Sequence, residues 1–284
     1  MIPAAFEYHR ATSVDDAIAM LANDGGSTKV LAGGQSLLPL LKLRLAATDR
    51  LLDIGRLSEL KGYRPQPDGS LDIGALTTYA EWRSERTYPG VGEAIDQIAD
   101  VQVRNRGTIG GAVAHADPAS DFPAIGLAFE ASAVVRGPRG ERVVPLSEFF
   151  EGAFATAMEP DEILVAIRRG PVPAGGGFGF RKLPQPASGY SIVGVAALVA
   201  RERGAIAHAS IGITGVGDHP YRAVAVESAL VGSDGSPAAI EAAAGRAADG
   251  VEVNSDIHAD REYRTAMAAV FTRRAIEAAL ERAD

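Results

Sequence analysis

The chain has 284 residues, room for one large domain or two modest ones of about 100–200 residues. Its 46% hydrophobic and 23% charged residues give ordinary globular composition, and a net charge of −8 with scattered Lys and Arg argues against nucleic acid and membrane docking. The absence of cysteine excludes disulfides, a cysteinyl flavin, a catalytic thiol, and thiolate-built zinc or iron–sulfur sites within this chain. The first residues, Met1 to Glu7, carry neither a basic n-region nor an apolar h-region. No apolar run approaches the roughly 20 residues of a membrane span, so a soluble, cytoplasmic protein is the expectation.

In chain order, Ser13 reads as an N-cap ahead of Val14, Asp15 and Asp16. Ala17, Ile18 and Leu21 share a helical face, and Gly25 and Gly26 are expected to stop the helix. Lys29, Val30 and Leu31 read as a short buried strand that runs into Gly33 and Gly34; residues 37–45 resume as helix or extended apolar chain, and residues 51–54 as strand. Leu71, Asp72 and Ile73 alternate like a strand, with helices expected at 79–84 and 91–99. Residues 134–144 carry a hairpin signature around Pro138, Arg139 and Gly140, and residues 163–167 read as another strand. The clearest boundary is the Pro- and Gly-rich stretch 170–179, expected to be an exposed connector. Beyond it come two strands, 192–201 and 205–213, around Arg203 and Gly204, and then three helices, 222–230, 237–248 and 260–283. Strands followed by helices imply an α+β domain with antiparallel pairing.

Two segments carry candidate chemistry. In Leu31-Ala32-Gly33-Gly34-Gln35-Ser36 a strand meets a helix-like segment through paired glycines. Backbone amides with no Cβ in the way, a helix N-terminus and the Ser36 hydroxyl suit a phosphate; a tight turn with a Ser cap is the competing reading. Residues 107–121 repeat the pattern with Thr108, Gly110 and Gly111, then run on with little apolar periodicity through His115, Asp117 and Asp121. An irregular stretch of this length is either a binding loop or an Ω-loop in which Asp117 and Asp121 cap local backbone. Two glycine motifs 76 positions apart (Gly34 to Gly110) fit a ligand with two phosphates, hence a dinucleotide. No Rossmann fingerprint, P-loop or His-Glu-x-x-His pattern is present, and no metal site is expected. A serine hydrolase on Ser36 fails because the second Gly of a nucleophile elbow is missing.

These residues resemble the medium, flavin-carrying subunits of the carbon monoxide dehydrogenase and xanthine dehydrogenase family. The resemblance runs over nearly the full length: Phe6-Glu7-Tyr8-His9-Arg10, Ala32-Gly33-Gly34-Gln35-Ser36-Leu37-Leu38-Pro39, Thr108-Ile109-Gly110-Gly111, His115-Ala116-Asp117-Pro118, Pro220-Tyr221-Arg222-Ala223 and Asp256-Ile257-His258-Ala259. It implies an α+β protein. An FAD-binding domain of the vanillyl-alcohol oxidase (PCMH) type would span residues 1–175, in two lobes split near 55–60. A smaller C-terminal α+β domain with an antiparallel sheet would span 176–284.

The resemblance also implies non-covalent FAD held by Val30, Leu31, Ala32, Gly33, Gly34, Gln35, Ser36 and Leu37 and by Thr108, Ile109, Gly110, Gly111 and Ala112. Ile98, Asp121, Leu164 and Lys182 match further flavin-contacting positions, and Tyr190 an aromatic one near the isoalloxazine. No side chain is expected to be catalytic. Molybdopterin and iron–sulfur clusters would reside on a large and a small partner subunit, in a dimer of heterotrimers. A stand-alone FAD oxidase of the vanillyl-alcohol oxidase type is the alternative. Two departures stand out: Ala112 occupies a position where relatives usually carry Asn, and residues 184–189 lack the basic side chains many relatives have there.

Overall fold

The computed structural model describes residues 2–24, 26–83 and 88–283. Gly25 and Ser84, which carried the expected ends of two helices, lie outside them.

The first lobe alternates strand and helix: β1 (Glu7–Arg10), α1 (Val14–Ala22), β2 (Thr28–Leu31), α2 (Leu37–Leu43) and β3 (Arg50–Asp53). Its strands form a parallel sheet in the order β1-β3-β2. The Ser13 hydroxyl accepts from the Asp16 amide at 3.0 Å, the cap read from the sequence, and Val14, Ala17, Ile18 and Leu21 are buried with Leu52 of the central strand. β2 was expected to be buried and is not. As an edge strand it buries only Thr28, leaving Lys29 exposed and Val30 and Leu31 half-buried.

The second lobe contains β4 (Tyr63–Pro65), β5 (Leu71–Gly74), α3 (Tyr79–Arg83), α4 (Val91–Asp96), α5 (Val101–Arg104), α6 (Ile109–His115), α7 (Asp121–Ala128), β6 (Ser132–Gly137), β7 (Gly140–Pro145), α8 (Leu146–Phe149), β8 (Phe150–Gly152), β9 (Ala155–Thr156) and β10 (Ile163–Arg169). Its main sheet is antiparallel, in the order β4-β5-β10-β6-β7. The 107–121 stretch, expected to be irregular, folds instead into α6 and the start of α7. Thr108 caps α6 by accepting from the Gly111 amide at 3.2 Å, and buried Ile109 and Val113 anchor it. The short 3.6-residue pattern escaped notice among the small residues around it.

The C-terminal part comprises β11 (Gly177–Pro184), β12 (Ser191–Glu202), β13 (Ala205–Thr214), β14 (Tyr221–Arg222), α9 (Val224–Leu230), α10 (Pro237–Ala244) and α11 (Arg261–Leu280). The sheet is antiparallel in that order, and both residues of the β12–β13 turn, Arg203 and Gly204, have positive φ, as a tight hairpin turn demands. Alternate residues of β12 face opposite ways. Ala196 and Leu198 join Phe178 and Phe180 in the second lobe's core, while Val193, Val195 and Val199 pack toward α9, α10 and α11. The expected connector 170–179 is therefore too long, because its last residues begin β11. A Cβ on Gly177 would stand 1.9 Å from the Ala279 carbonyl and one on Gly179 2.4 Å from that of Ala275, so these glycines admit α11 onto the strand rather than loosening the chain. No described helix is long and apolar enough to cross a membrane.

Candidate functional site

The two glycine motifs meet. A Cβ on Gly33 would lie 2.2 Å from the Arg106 carbonyl oxygen and 3.0 Å from the Gly107 Cα, and the Cβ of Ala32 is 3.9 Å from where a Cβ on Gly111 would stand. Gly34 has φ +73, the left-handed conformation that turns the chain out of β2 toward α2. Among the described residues none accepts a hydrogen bond from the amides of residues 33–36; their only local bonds are Gln35 Nε2 donating to the Gly33 carbonyl at 3.1 Å and the Leu38 and Leu40 amides donating to Gly34 and Ser36. A run of four unpaired donors at the surface is a ready anion cradle.

The second motif has spent its donors inside the fold. The Ile109 amide donates to Thr77 and that of Gly110 to Ala75, each at 3.0 Å, and the Gly111 amide reaches the Thr108 hydroxyl. A Cβ on Gly110 would meet the Ala75 Cβ at 2.4 Å, so this glycine lets α6 lie on the chain after β5. The first motif thus keeps its amides without a partner among the described residues, while the second has bound its own within the fold.

Opposite the first motif sits a buried charge pair. Lys182 Nζ on β11 donates to Asp121 Oδ2 at 2.8 Å, with side chains 4% and 6% exposed, and the Ser191 hydroxyl donates to Asp121 Oδ1 at 2.6 Å. Burial pushes the Asp121 carboxyl above its ordinary value, with Asp117 adding to the rise; the Lys182 ammonium and the Ser191 hydroxyl oppose it. Asp121 therefore does not cap α7 as the bland alternative held. Asp117 does behave that way, its Oδ1 accepting from the Ala119 amide at 2.9 Å.

Tyr190, 45% exposed, joins the two sides. Its hydroxyl lies close to Ser36, Asp117 and Asp121; burial first, then Asp117, raises its pKa, and Ser36 opposes the rise. A closed turn presents it: Gln185 Oε1 accepts from the Ala187 and Ser188 amides, and the Gln185 amide donates to the Tyr190 carbonyl at 2.7 Å. Buried Tyr79 lies close to both Asp121 and Tyr190, and burial with these neighbours drives its hydroxyl far up.

The sequence-derived candidates thus separate. Residues 30–37, Asp121, Lys182 and Tyr190 converge, and Thr108 and Ala112 flank them. Ile98, Ile109 and Leu164 are buried in the second lobe's core. Ser191 and Tyr79 were missed. The signal for Ser191 was adjacency to Tyr190 at the head of a strand; for Tyr79 nothing in the sequence distinguished a core aromatic from one beneath a site.

FAD demands donors for a pyrophosphate, a polar group or cation for the ring, and a flat apolar or aromatic neighbour. The open amides, the Lys182–Asp121 pair and Tyr190 meet those needs. Fold and site together define a flavin-binding α+β protein with two lobes and a C-terminal sheet domain. Residues 4–173 match the FAD-binding domain of molybdopterin dehydrogenases and residues 178–279 the C-terminal domain of CO dehydrogenase flavoproteins, and the chain belongs to this family of FAD-binding oxidoreductase subunits. It is 39% identical to the carbon monoxide dehydrogenase medium chain of Hydrogenophaga pseudoflava, covering 99% of both chains. It is 36% identical to the 6-hydroxypseudooxynicotine dehydrogenase subunit alpha of Paenarthrobacter nicotinovorans over 100% of this chain and 97% of that one. The solved carbon monoxide dehydrogenase of H. pseudoflava superposes with a TM-score of 0.96 at 41% identity, covering 100% of both chains. Quinoline 2-oxidoreductase from Pseudomonas putida 86 gives a TM-score of 0.90 at 32% identity, covering 99% of both.

Proposed function

We propose that this chain is the FAD-carrying electron-transfer subunit of a molybdenum hydroxylase complex. It takes electrons from iron–sulfur centres of a small partner subunit and passes them to an external acceptor, while substrate chemistry belongs to a molybdopterin-binding large subunit. The observation that carries the reading is the cradle of open amides at residues 33–36 facing the buried Asp121–Lys182 pair across Tyr190. FAD, when bound, would supply both one- and two-electron redox chemistry, which suits single-electron delivery from iron–sulfur centres and onward transfer to an acceptor. The chain's own residues do the rest. The amides and the Ser36 hydroxyl would hold the pyrophosphate, Lys182 would present a positive charge that Asp121, itself held by Ser191, orients, and Tyr190 would keep water from one side.

The reading assigns residues 1–175 to FAD binding and 176–284 to the C-terminal domain. It places the protein in the cytoplasm as part of a dimer of heterotrimers, consistent with the full-length likeness to subunits of dehydrogenase complexes. A stand-alone oxidase would need a base over the flavin; Tyr190 is the nearest candidate, and burial, which raises its hydroxyl pKa, disfavours the phenolate such a base requires.

Co-purification from the native host with metal analysis tests the reading. The expected result is a flavin spectrum on this chain, together with molybdenum and iron on chains that accompany it. Turnover of an organic substrate by this chain alone, flavin-loaded and free of molybdenum, would transfer the assignment to the oxidase.

A further inference from the structure

We propose that Arg264, on α11 and distant in sequence from every site residue, is a positioning residue for the flavin-facing turn. The inference rests on the FAD reading above. Arg264 is buried, and its Nη1 donates to the carbonyls of Ile192 at 2.7 Å and Gly215 at 2.6 Å, while Nη2 donates to Asp256 Oδ2 at 2.6 Å. The β12–β13 ladder begins at the pair Gly194 and Thr214, so Ile192 and Gly215 lie just beyond it and their carbonyls lack a ladder partner. The guanidinium fork takes the place of the next rung. Its counter-charge is itself fixed, because Asp256 Oδ1 accepts from the amides of His258 at 2.8 Å and Ala259 at 3.0 Å.

What this rung holds in place is the site. Gly215, at φ +82, brings the two chain ends so close that a Cβ there would lie 2.6 Å from the carbonyls of Ser191 and Ile192. The Gly215 amide and the Thr214 hydroxyl donate to the Pro118 carbonyl at 2.7 and 2.6 Å, and the Ser191 amide reaches Ala119 at 3.4 Å. Ser191 bonds Asp121, the partner of Lys182, and Tyr190 immediately precedes Ser191 in the chain. From Arg264 to the buried Asp121–Lys182 pair the path is two carbonyls and one strand end. Burying a guanidinium is costly, and an apolar residue would fill the same space at less cost; a planar group whose Nη1 holds two carbonyls from different strand ends while Nη2 is fixed by Asp256 is suited instead to setting their spacing.

The test is a double-mutant cycle on FAD affinity in the full chain, read by flavin fluorescence titration, with apoprotein melting followed separately. Arg264→Gln is expected to weaken FAD binding about tenfold, and Tyr190→Ala to weaken it comparably. The double variant should be little weaker than either single one, because both act through one contact. Arg264→Lys keeps the buried charge and its Asp256 partner but not the fork. It should fold even where Arg264→Gln does not, and still bind FAD severalfold more weakly, again without adding to Tyr190→Ala. Multiplying effects in the cycle, or wild-type affinity in both Arg264 variants, overturns the inference and leaves the FAD reading standing. A wild-type chain that takes up no FAD overturns both.

Discussion

The two glycine motifs look alike in sequence, a hydroxyl residue beside Gly-Gly, and do opposite work. At residues 33–36 the amides find no partner among the described residues, whereas at residues 109–111 they are consumed by Thr77, Ala75 and the Thr108 hydroxyl. Gly34 is glycine for its φ of +73, and Gly110 because Ala75 lies where its side chain would be. One motif keeps donors that a ligand could take up, and the other has bound its own within the fold. A glycine pair therefore announces a close approach without saying whether a ligand or the protein's own backbone does the approaching.

The largest effect should come from the supporting motif. Gly110→Val puts a branched side chain onto the Ala75 Cβ at 2.4 Å and its backbone at 2.7 Å. We expect a loss of roughly 4 kcal/mol or more, the upper end of overpacking costs. Urea unfolding of the apoprotein checks this, since the damage does not depend on flavin. A variant that melts normally and only fails to retain FAD would return Gly110 to a direct phosphate role, the first expectation from sequence.

Next in size is the buried pair. Lys182→Met strands the Asp121 carboxylate and should cost about 3 kcal/mol near neutral pH. Asp121 already sits above its ordinary value of 3.8 through burial. Removing the Lys182 charge and hydrogen bond, which oppose that rise, sends it higher. A group with a raised folded value contributes stability at low pH and loses it as pH climbs through that value. The gap between wild type and variant should accordingly narrow on acidification toward pH 4 and widen on return to neutrality. A gap independent of pH would mean that packing of the Lys182 stem, not its charge, is what matters.

Gly34→Ala should cost less stability, about 1–2 kcal/mol for a left-handed alanine, because the nearest obstruction is the flexible end of Leu38 at 2.9 Å. Its effect on FAD should be proportionately larger, tenfold or more in Kd, since relaxing φ swings the open amides away from a charged ligand worth about 1.5–3 kcal/mol per hydrogen bond. Equal losses in apoprotein stability and in FAD affinity would erase the contrast between the motifs.

Much of this was legible in the chain itself, for reasons particular residues make plain. The Ser13 cap and the Arg203-Gly204 turn are local chemistry, and local chemistry reads well from sequence. Strand β11 was hidden because Gly177 and Gly179 mimic a linker until α11 is seen lying on them. α6 was hidden because Gly110, Gly111 and Ala112 carry almost no periodic signal, and the helix is fixed by its contact with residues 75–77. Within the site, Gly33, Gly34, Lys182 and Tyr190 came from motif and resemblance. That Lys182 would be paired with Asp121, and Asp121 held in turn by Ser191, depends on tertiary contacts no spacing could reveal.

Ala112 supplies the finest test of the comparison, because it belongs to the supporting motif yet flanks the open one. Its amide donates to the Thr108 carbonyl at 3.1 Å and its own carbonyl accepts from Ala116 at 3.3 Å, so its backbone is fully used. The side chain, half-buried at the rim of the second lobe's core, is the one element of this turn free to gain a polar contact. Ala112→Asn adds a side-chain amide at this position. It should tighten FAD binding by about 0.5–1.5 kcal/mol, two- to tenfold in Kd, while costing the helix a few tenths of a kcal/mol in propensity. Fluorescence titration of wild type and variant side by side measures it. Tighter binding with slightly lower apoprotein stability would mean that the second motif keeps a latent ligand contact; weaker binding would mean that alanine is what lets α6 pack, and that in this chain the division of labour between the two motifs is complete.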